Sequence, residues 1–195
     1  MSFCGLFFKL FERGRKMRVF KMVLLLFSLT GRAVAAAPEL ALSVENGKVS
    51  YDRSLPRIDC NGADAAGCTK AQIYMDSPRF VYDAQGNIAK VYLKFGLRNV
   101  TVYILSSIPK GSCEFDLVLK HELTHVAVAR KVVKHFAREI SKALLATLDE
   151  GTASPYQIAK MIDRYHRQMI EEKNRQDSLL DAPGSVVYQW EQCLK

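Results

Sequence analysis

The chain has 195 residues and a formal net charge of +8, from 28 Lys and Arg against 20 Asp and Glu. Seven of those bases but only one of the acids lie before residue 38, so the rest of the chain carries 21 bases, 19 acids and a net charge of +2. A strongly basic chain often binds nucleic acid, but here the excess belongs to the N-terminal segment. We therefore expect no nucleic-acid partner. The remaining length suits one domain with its own core.

The N-terminal segment has the features of a secretory signal peptide. Residues 17–21 form a short basic start, residues 22–29 an apolar run too short to span a bilayer, and residues 33–37 a cleavage site of small residues. Residues 1–16 are an unusual extension, and Met17 is an alternative start. We predict that residues 1–37 are removed and that residues 38–195 form one exported domain, periplasmic or extracellular, without a stable membrane span. An uncleaved membrane anchor is the alternative.

Four cysteines remain after residue 37, and an even number in an exported chain predicts two disulfides. Cys60 and Cys68 flank residues 61–67, a flexible segment that can close on itself. We therefore expect the pair Cys60–Cys68, which leaves Cys113 to bond Cys193 and to tie the C-terminus to the long helix described next. A cysteine zinc site is the rival interpretation, but the chain has no C-x-x-C pair.

The elements predicted after residue 37 are short strands followed by two helices. Residues 88–95 and 100–106 are rich in Val, Ile and Tyr and predict strands, which residues 96–99 would join as a hairpin. Ser112 can cap a helix over residues 113–148, and Ser154 can cap a second helix that ends near residue 181. The predicted fold class is α+β, with a small antiparallel sheet followed by a two-helix core. Weaker strands are expected at 42–44, 48–51, 71–75 and 80–82, and a closing segment at 186–193.

The most specific signal lies in the first helix, where residues 121–125 have the pattern His-Glu-x-x-His. His121 and His125 are four residues apart, so both leave the same helix face and can bind one Zn²⁺ through neutral ring nitrogens. Glu122 can reach a water at the zinc without binding the zinc, as a general base requires. Two surface histidines on an amphipathic helix are the alternative, but both lie beside the apolar stripe rather than opposite it.

Residues 100–106 and 109–115, followed by the helix that carries His121, Glu122 and His125, resemble the active-site half of zincin metallopeptidases. Together with the segments 176–183 and 190–193, they are similar to small exported bacterial zinc peptidases of unassigned function. The resemblance covers about residues 80–195. It implies a zinc-dependent peptide hydrolase with a zincin-like two-helix core, in which residues 100–106 bind an extended substrate by strand addition.

The resemblance also requires a third protein ligand, and the sequence leaves its identity open. The metzincin extension is absent, because Val128 and Lys131 stand where it needs Gly and His. A gluzincin-like ligand would come from the second helix, and an antiparallel hairpin would place residues 178–182 opposite the motif. We rank the candidates in the order Asp181, Glu172 and Asp177.

These features predict an exported zinc metallopeptidase that acts on a peptide or protein substrate. A zinc amidase that acts on cell-wall peptides is a less favoured hypothesis. The alternative is a non-catalytic envelope or binding protein that retains the motif as a structural or relic zinc site. A structural zinc normally has four protein ligands, whereas a catalytic zinc has three and an open position. The number of protein ligands therefore distinguishes the two functions.

Overall fold

The computed structural model describes residues 37–60, 63–151 and 154–183, together with Cys193. The predicted signal peptide lies outside these residues apart from Ala37, and so does the predicted closing segment apart from Cys193. Both therefore stay predictions. Of the helices in the described ranges, none combines the length and the apolar character needed to cross a membrane.

Strands precede two long helices in the described residues, which confirms the predicted α+β class. Each helix is capped as predicted: the Ser112 and Ser154 side chains accept hydrogen bonds from the backbone N–H groups of Phe115 and Gln157. The elements are β1 (Glu39–Asn46), β2 (Val49–Asp52), β3 (Asp59–Cys60), β4 (Ala63–Asp64), β5 (Gly67–Met75), β6 (Arg79–Tyr82), β7 (Ile88–Ile104), α1 (Cys113–Asp149) and α2 (Pro155–Leu180).

The sheet is organised around β7, a strand of 17 residues that pairs along both of its edges. On one edge β1 and then β2 pair with it in parallel, and on the other β5 and then β6 pair with it antiparallel. The predicted antiparallel sheet is therefore wrong. Strand-forming residues identify the segments that become strands, but they do not determine which strands become neighbours or in which direction these run.

The predicted hairpin at residues 96–99 is also wrong, because the chain bends there and continues as one strand. Gly96 has φ 149°, and a Cβ on it would lie 2.1 Å from the Glu45 carbonyl oxygen, so only glycine allows β1 to approach this closely. Asn99 has φ 52° and stands where the pairing of β5 with β7 shifts register. Residues typical of turns thus form a bulge inside the sheet.

The two helices form an antiparallel hairpin that packs on the sheet. Thr147 of α1 contacts Met161 near the turn, and His125 contacts Asp177 near the far end. Their facing sides are apolar and join the core of the sheet. The fully or almost fully buried residues of this interface include Ile140, Leu144, Leu148, Ile158, Ile162 and Met169.

Both predicted disulfides are present. Cys60 bonds Cys68 across a sequence separation of 8, and Cys113 bonds Cys193 across a separation of 80. The first bond holds the β3–β4 segment against the start of β5. The second fixes Cys193, close to the C-terminus, at the first residue of α1.

Replacing Cys113 and Cys193 together by serine should cost about 4 kcal/mol of unfolding free energy, and replacing Cys60 and Cys68 about 2–3 kcal/mol. The longer loop gives the larger effect because its cross-link removes more conformational entropy from the unfolded chain. Urea denaturation of the oxidised protein and of the two double variants measures both values. A larger loss for the pair at 60 and 68 would contradict this ranking.

Candidate metal centre

Two side chains of α1 and one from the C-cap of α2 bring together three atoms that could bind a metal ion. The Nε2 atoms of His121 and His125 are 3.1 Å apart, and Oδ1 of Asp181 lies 3.1 Å from the first and 3.0 Å from the second. Ligands held 2.0–2.1 Å from one tetrahedral zinc ion are about 3.3 Å from each other. The spacing and the donor types therefore fit a divalent metal ion held by these three residues.

Local structure explains how each donor reaches this point. His121 and His125 lie one turn apart on α1, with their ring centroids 4.9 Å apart. Asp181 is the C-cap residue of α2, and its backbone N–H donates to the carbonyl oxygen of Asp177. Because the helix ends at Asp181, this side chain can turn toward α1, as the hairpin register predicted. Its role as a ligand stays a prediction.

Asp177 contacts the His125 imidazole at Nδ1, the ring nitrogen opposite to Nε2. It does not point into the group of three donor atoms. Nδ1 of His125 lies 2.9 Å from Oδ1 of Asp177, and Lys173 donates from Nζ to the other carboxylate oxygen at 2.6 Å. With Nδ1 donating to this carboxylate, the Nε2 lone pair faces the metal position. Asp177 is thus placed to orient a ligand. Lys173 and Asp177 have i, i+4 spacing on α2, so the ion pair between them could have been predicted from the sequence.

These contacts shift the pKa values of His125 and Asp177. Burial lowers the pKa of the His125 imidazole, but the hydrogen bond with Asp177 and the charge of Asp181 outweigh it, and the net pKa is raised. Burial raises the pKa of the Asp177 carboxyl, and the hydrogen bonds from His125 and Lys173 reverse this to a net lowering. The two groups therefore stabilise each other's charged form in the absence of metal.

Glu172, the second-ranked ligand candidate, is engaged elsewhere. Its carboxylate accepts two hydrogen bonds from the Arg175 guanidinium, both 2.8 Å long, and one from the Gln176 amide at 2.6 Å. The contacts with Arg175 and Gln176 lower the pKa of Glu172 to about 2. The structure does not bring this residue to the two histidines.

Glu122 is the most buried acid of the described chain, with 5% of its surface exposed. It lies between α1 and the start of β5, where the Thr69 hydroxyl donates to its backbone carbonyl at 2.9 Å. Burial raises the pKa of its carboxyl, with hydrogen bonding from Thr69 and the charge of His125 acting in the opposite direction. The position thus combines a carboxyl of raised pKa with the adjacent donor group, which is the environment of a general base.

Gly67 makes this packing possible, and no motif identifies it from the sequence. A Cβ on Gly67 would lie 2.9 Å from both Cγ and Oε1 of Glu122 and 2.6 Å from Cγ1 of Val118. Any larger residue would push the carboxylate away or separate the strand from the helix. Because Gly67 and Glu122 are 55 positions apart in the chain, only the fold brings them together.

The centre opens into a cleft of about 1010 Å³ between β5, Cys60, residues 64–66 and the two helices. The resemblance implied that residues 100–106 bind substrate here, but Val100–Tyr103 pairs with β2 on one side and Thr101–Ile104 with β5 on the other. This part of β7 has no free edge, so that expectation is wrong. In the described part of the chain, β5 pairs with β7 alone, and its outer edge borders the cleft.

No protein-family model, no curated protein and no solved structure matches this chain. The functional interpretation therefore depends on the geometry of the centre together with the His-Glu-x-x-His motif that the two histidines and Glu122 form.

Replacing Gly67 by alanine should leave the metal content at wild-type level and should lower by about tenfold or more any hydrolysis that depends on Glu122. The added methyl displaces the Glu122 carboxylate, and misplacement of a catalytic group by about 1 Å can cost about 10²-fold. Metal analysis and kcat measured on the same preparation test this. Substitution Ala84→Ser, in the exposed turn between β6 and β7, is the control and should change neither quantity. Wild-type kcat in the Gly67 variant would contradict the argument.

Proposed function

We propose that this protein is an exported zinc-dependent hydrolase, most simply a metallopeptidase. The observation that supports this best is the convergence of the His121, His125 and Asp181 donor atoms beside the buried carboxyl of Glu122, in an open cleft. Two imidazole nitrogens and one carboxylate oxygen are the protein ligands of a familiar class of catalytic zinc sites. The relation of Glu122 to the two histidines is also that of the zincin motif.

Bound zinc would supply Lewis acidity, which polarises a carbonyl group and lowers the pKa of water to about 7. His121, His125 and Asp181 would hold the ion, and Asp177 would keep the His125 ring in orientation. Glu122 would accept a proton from the attacking water while the water oxygen bonds to the carbonyl carbon of the peptide. The same carboxyl would then give that proton to the amine nitrogen as the C–N bond breaks. The free edge of β5 would hold the substrate in extended form.

Ligand number favours this function over a structural or relic metal site. Among the residues that the structure describes, the donor group contains His121, His125 and Asp181, and no fourth His, Cys, Asp or Glu completes it. The nearby Asp177 is directed at Nδ1 of His125. Three ligands and an open cleft are expected of a catalytic ion, whereas a structural ion is closed by four. The two disulfides also agree with an exported protein.

The test uses protein isolated from the extracytoplasmic fraction, with both disulfides intact. We expect about one zinc per chain by mass spectrometry, and cleavage of a quenched-fluorescent peptide library that a chelator stops and added Zn²⁺ restores. Cell-wall peptide fragments form a separate substrate set that would identify the amidase version. Cleavage that is insensitive to chelator, or protein without stoichiometric metal, would refute the proposal. Zinc binding without hydrolysis of any substrate would favour the structural alternative.

A further inference from the structure

A second groove lies between β1 and the middle of α1, at the sheet edge opposite to β5. Its apolar part includes Val44 and Leu145, which are 37% and 42% exposed. Four exposed cations of α1 stand beside this apolar part. We call this surface the basic groove; its cations are Lys131, Lys134, Arg138 and Lys142.

The charges of the basic groove are not balanced by the residues that the structure describes. Two bases of the sheet, in contrast, are paired: Lys90 with Glu39 and Lys94 with Glu45. The four cations of the groove form no ion pair with any residue in the described ranges, and Glu139 is the only acid in the surrounding part of α1. Three of them follow each other at i, i+4 and i+8, where like charges on a helix destabilise it. Such a strip is stabilised when anionic groups lie beside it.

The wall of the basic groove is an open strand edge. Within the part of the chain that the structure describes, β1 pairs with β7 and with no other strand. Its outer backbone groups can therefore accept a further strand. Arg130 fixes this wall, because its guanidinium donates to the carbonyl oxygens of Asn46 (3.1 Å) and Gly47 (3.0 Å). The groove is thus preformed at the end of β1.

We propose that the basic groove binds an extended acidic segment of a partner protein, which adds to the edge of β1 and directs its carboxylates at the cations of α1. Alternate side chains of an added strand point to the same face, so acidic residues at every second position would reach the strip. An anionic bilayer is the other partner that these cations could attract. We favour the peptide because a flat bilayer cannot enter a groove or use the backbone groups of a strand edge. The proposal does not depend on the metal centre.

Fluorescence anisotropy of the secreted protein with a pool of labelled heptapeptides tests this. The peptides alternate Asp or Glu with Val or Thr, and a matched pool carries Lys at the acidic positions. We expect saturable binding of the acidic pool that weakens with salt, and no binding of the Lys pool. The double variant Lys134→Glu with Arg138→Glu should bind at least about tenfold more weakly. The matched control is Lys110→Glu with Lys160→Glu, which makes the same charge change at exposed sites elsewhere.

Two further arms separate the possible outcomes. Two sets of acidic peptides test strand addition, one N-methylated at the odd-numbered residues and the other at the even-numbered residues. Only one of the two sets should lose binding. The milder pair Lys131→Gln with Lys142→Gln keeps the test valid if charge reversal unfolds the protein. Three outcomes would each overturn the proposal. The acidic pool does not bind, the groove variants and the control variants bind it equally, or both methylated peptide sets bind. Groove-dependent binding to vesicles of phosphatidylglycerol and phosphatidylcholine, without peptide binding, would replace it by a lipid surface.

Discussion

Protein in which His121, His125 or Asp181 is replaced by alanine is expected to lose stoichiometric zinc. A zinc site with its full ligand set contributes about 10–16 kcal/mol, so one ligand of three should account for several kcal/mol. A loss of about 4 kcal/mol corresponds to about 10³-fold in affinity. Competition titration with a chromophoric chelator measures this for each variant. Asp181→Ala is the most informative of the three, because no motif identifies this residue as a ligand.

Two neighbouring acids on α2 provide controls for the metal experiment. Asp177→Asn should weaken zinc binding by about 10–100-fold, since it removes the partner that orients His125 but leaves all three donors in place. Glu172→Gln should leave the affinity unchanged, because Arg175 and Gln176 hold this carboxylate away from the centre. Undiminished zinc affinity in Asp181→Ala would reject Asp181 as the third ligand. A loss in Glu172→Gln would indicate that α2 is in a different register in solution.

Glu122→Gln is expected to keep its zinc and to lose about 10²–10⁴-fold in kcat. Glutamine has nearly the same shape, so it fits beside Gly67, but its amide cannot accept the proton of water. The exposed Glu139→Gln on the same helix is the matched control and should retain full activity. Zinc content and peptide hydrolysis are measured on the same samples. Full activity of Glu122→Gln would refute the mechanism and leave the metal site intact.

The pH dependence of hydrolysis should reflect the protonation of Glu122. Only the deprotonated carboxylate can accept a proton, so activity should fall as the pH is lowered through the pKa of this group. Burial raises that pKa above its ordinary value near 4.5. This direction holds for the metal-free protein, and a bound zinc ion would act against it. An acid limb of kcat/KM should therefore be present in the wild type and absent from the residual activity of Glu122→Gln.

The features that the sequence could predict depend on residues close together in the chain. The spacing of His121 and His125 on a helix, the caps Ser112 and Ser154, and the cysteine pairs all follow local rules. The position of Asp181 beside the two histidines could also be predicted, although it involves residues far apart in the chain. Two helices joined by a short turn have a register that can be counted. The hairpin geometry fixed which residues lie opposite each other.

The features that could not be predicted depend on distant segments. Parallel pairing of β1 with β7 involves strands about 50 residues apart, and neither strand encodes its neighbour. Gly96 and Asn99 are residue types that are common in turns, and only pairing on both sides shows that the strand continues. The contact of Gly67 with Glu122 likewise exists only after the sheet and α1 have packed. The pattern of residues 61–67 predicts a flexible segment, so nothing in it identifies Gly67 as the site of a close contact.

The position of Asp181 at the end of α2, while both histidines lie on α1, has a consequence for folding. An ion held by both helices would close a loop of 56 residues between His125 and Asp181, and would act on the unfolded chain as a reversible cross-link. Before it binds, the last turn of α2 is held to α1 by the hydrogen bonds of Asp177 and Asp181 with the two histidines. The supply of metal would then affect how often this turn opens to proteases.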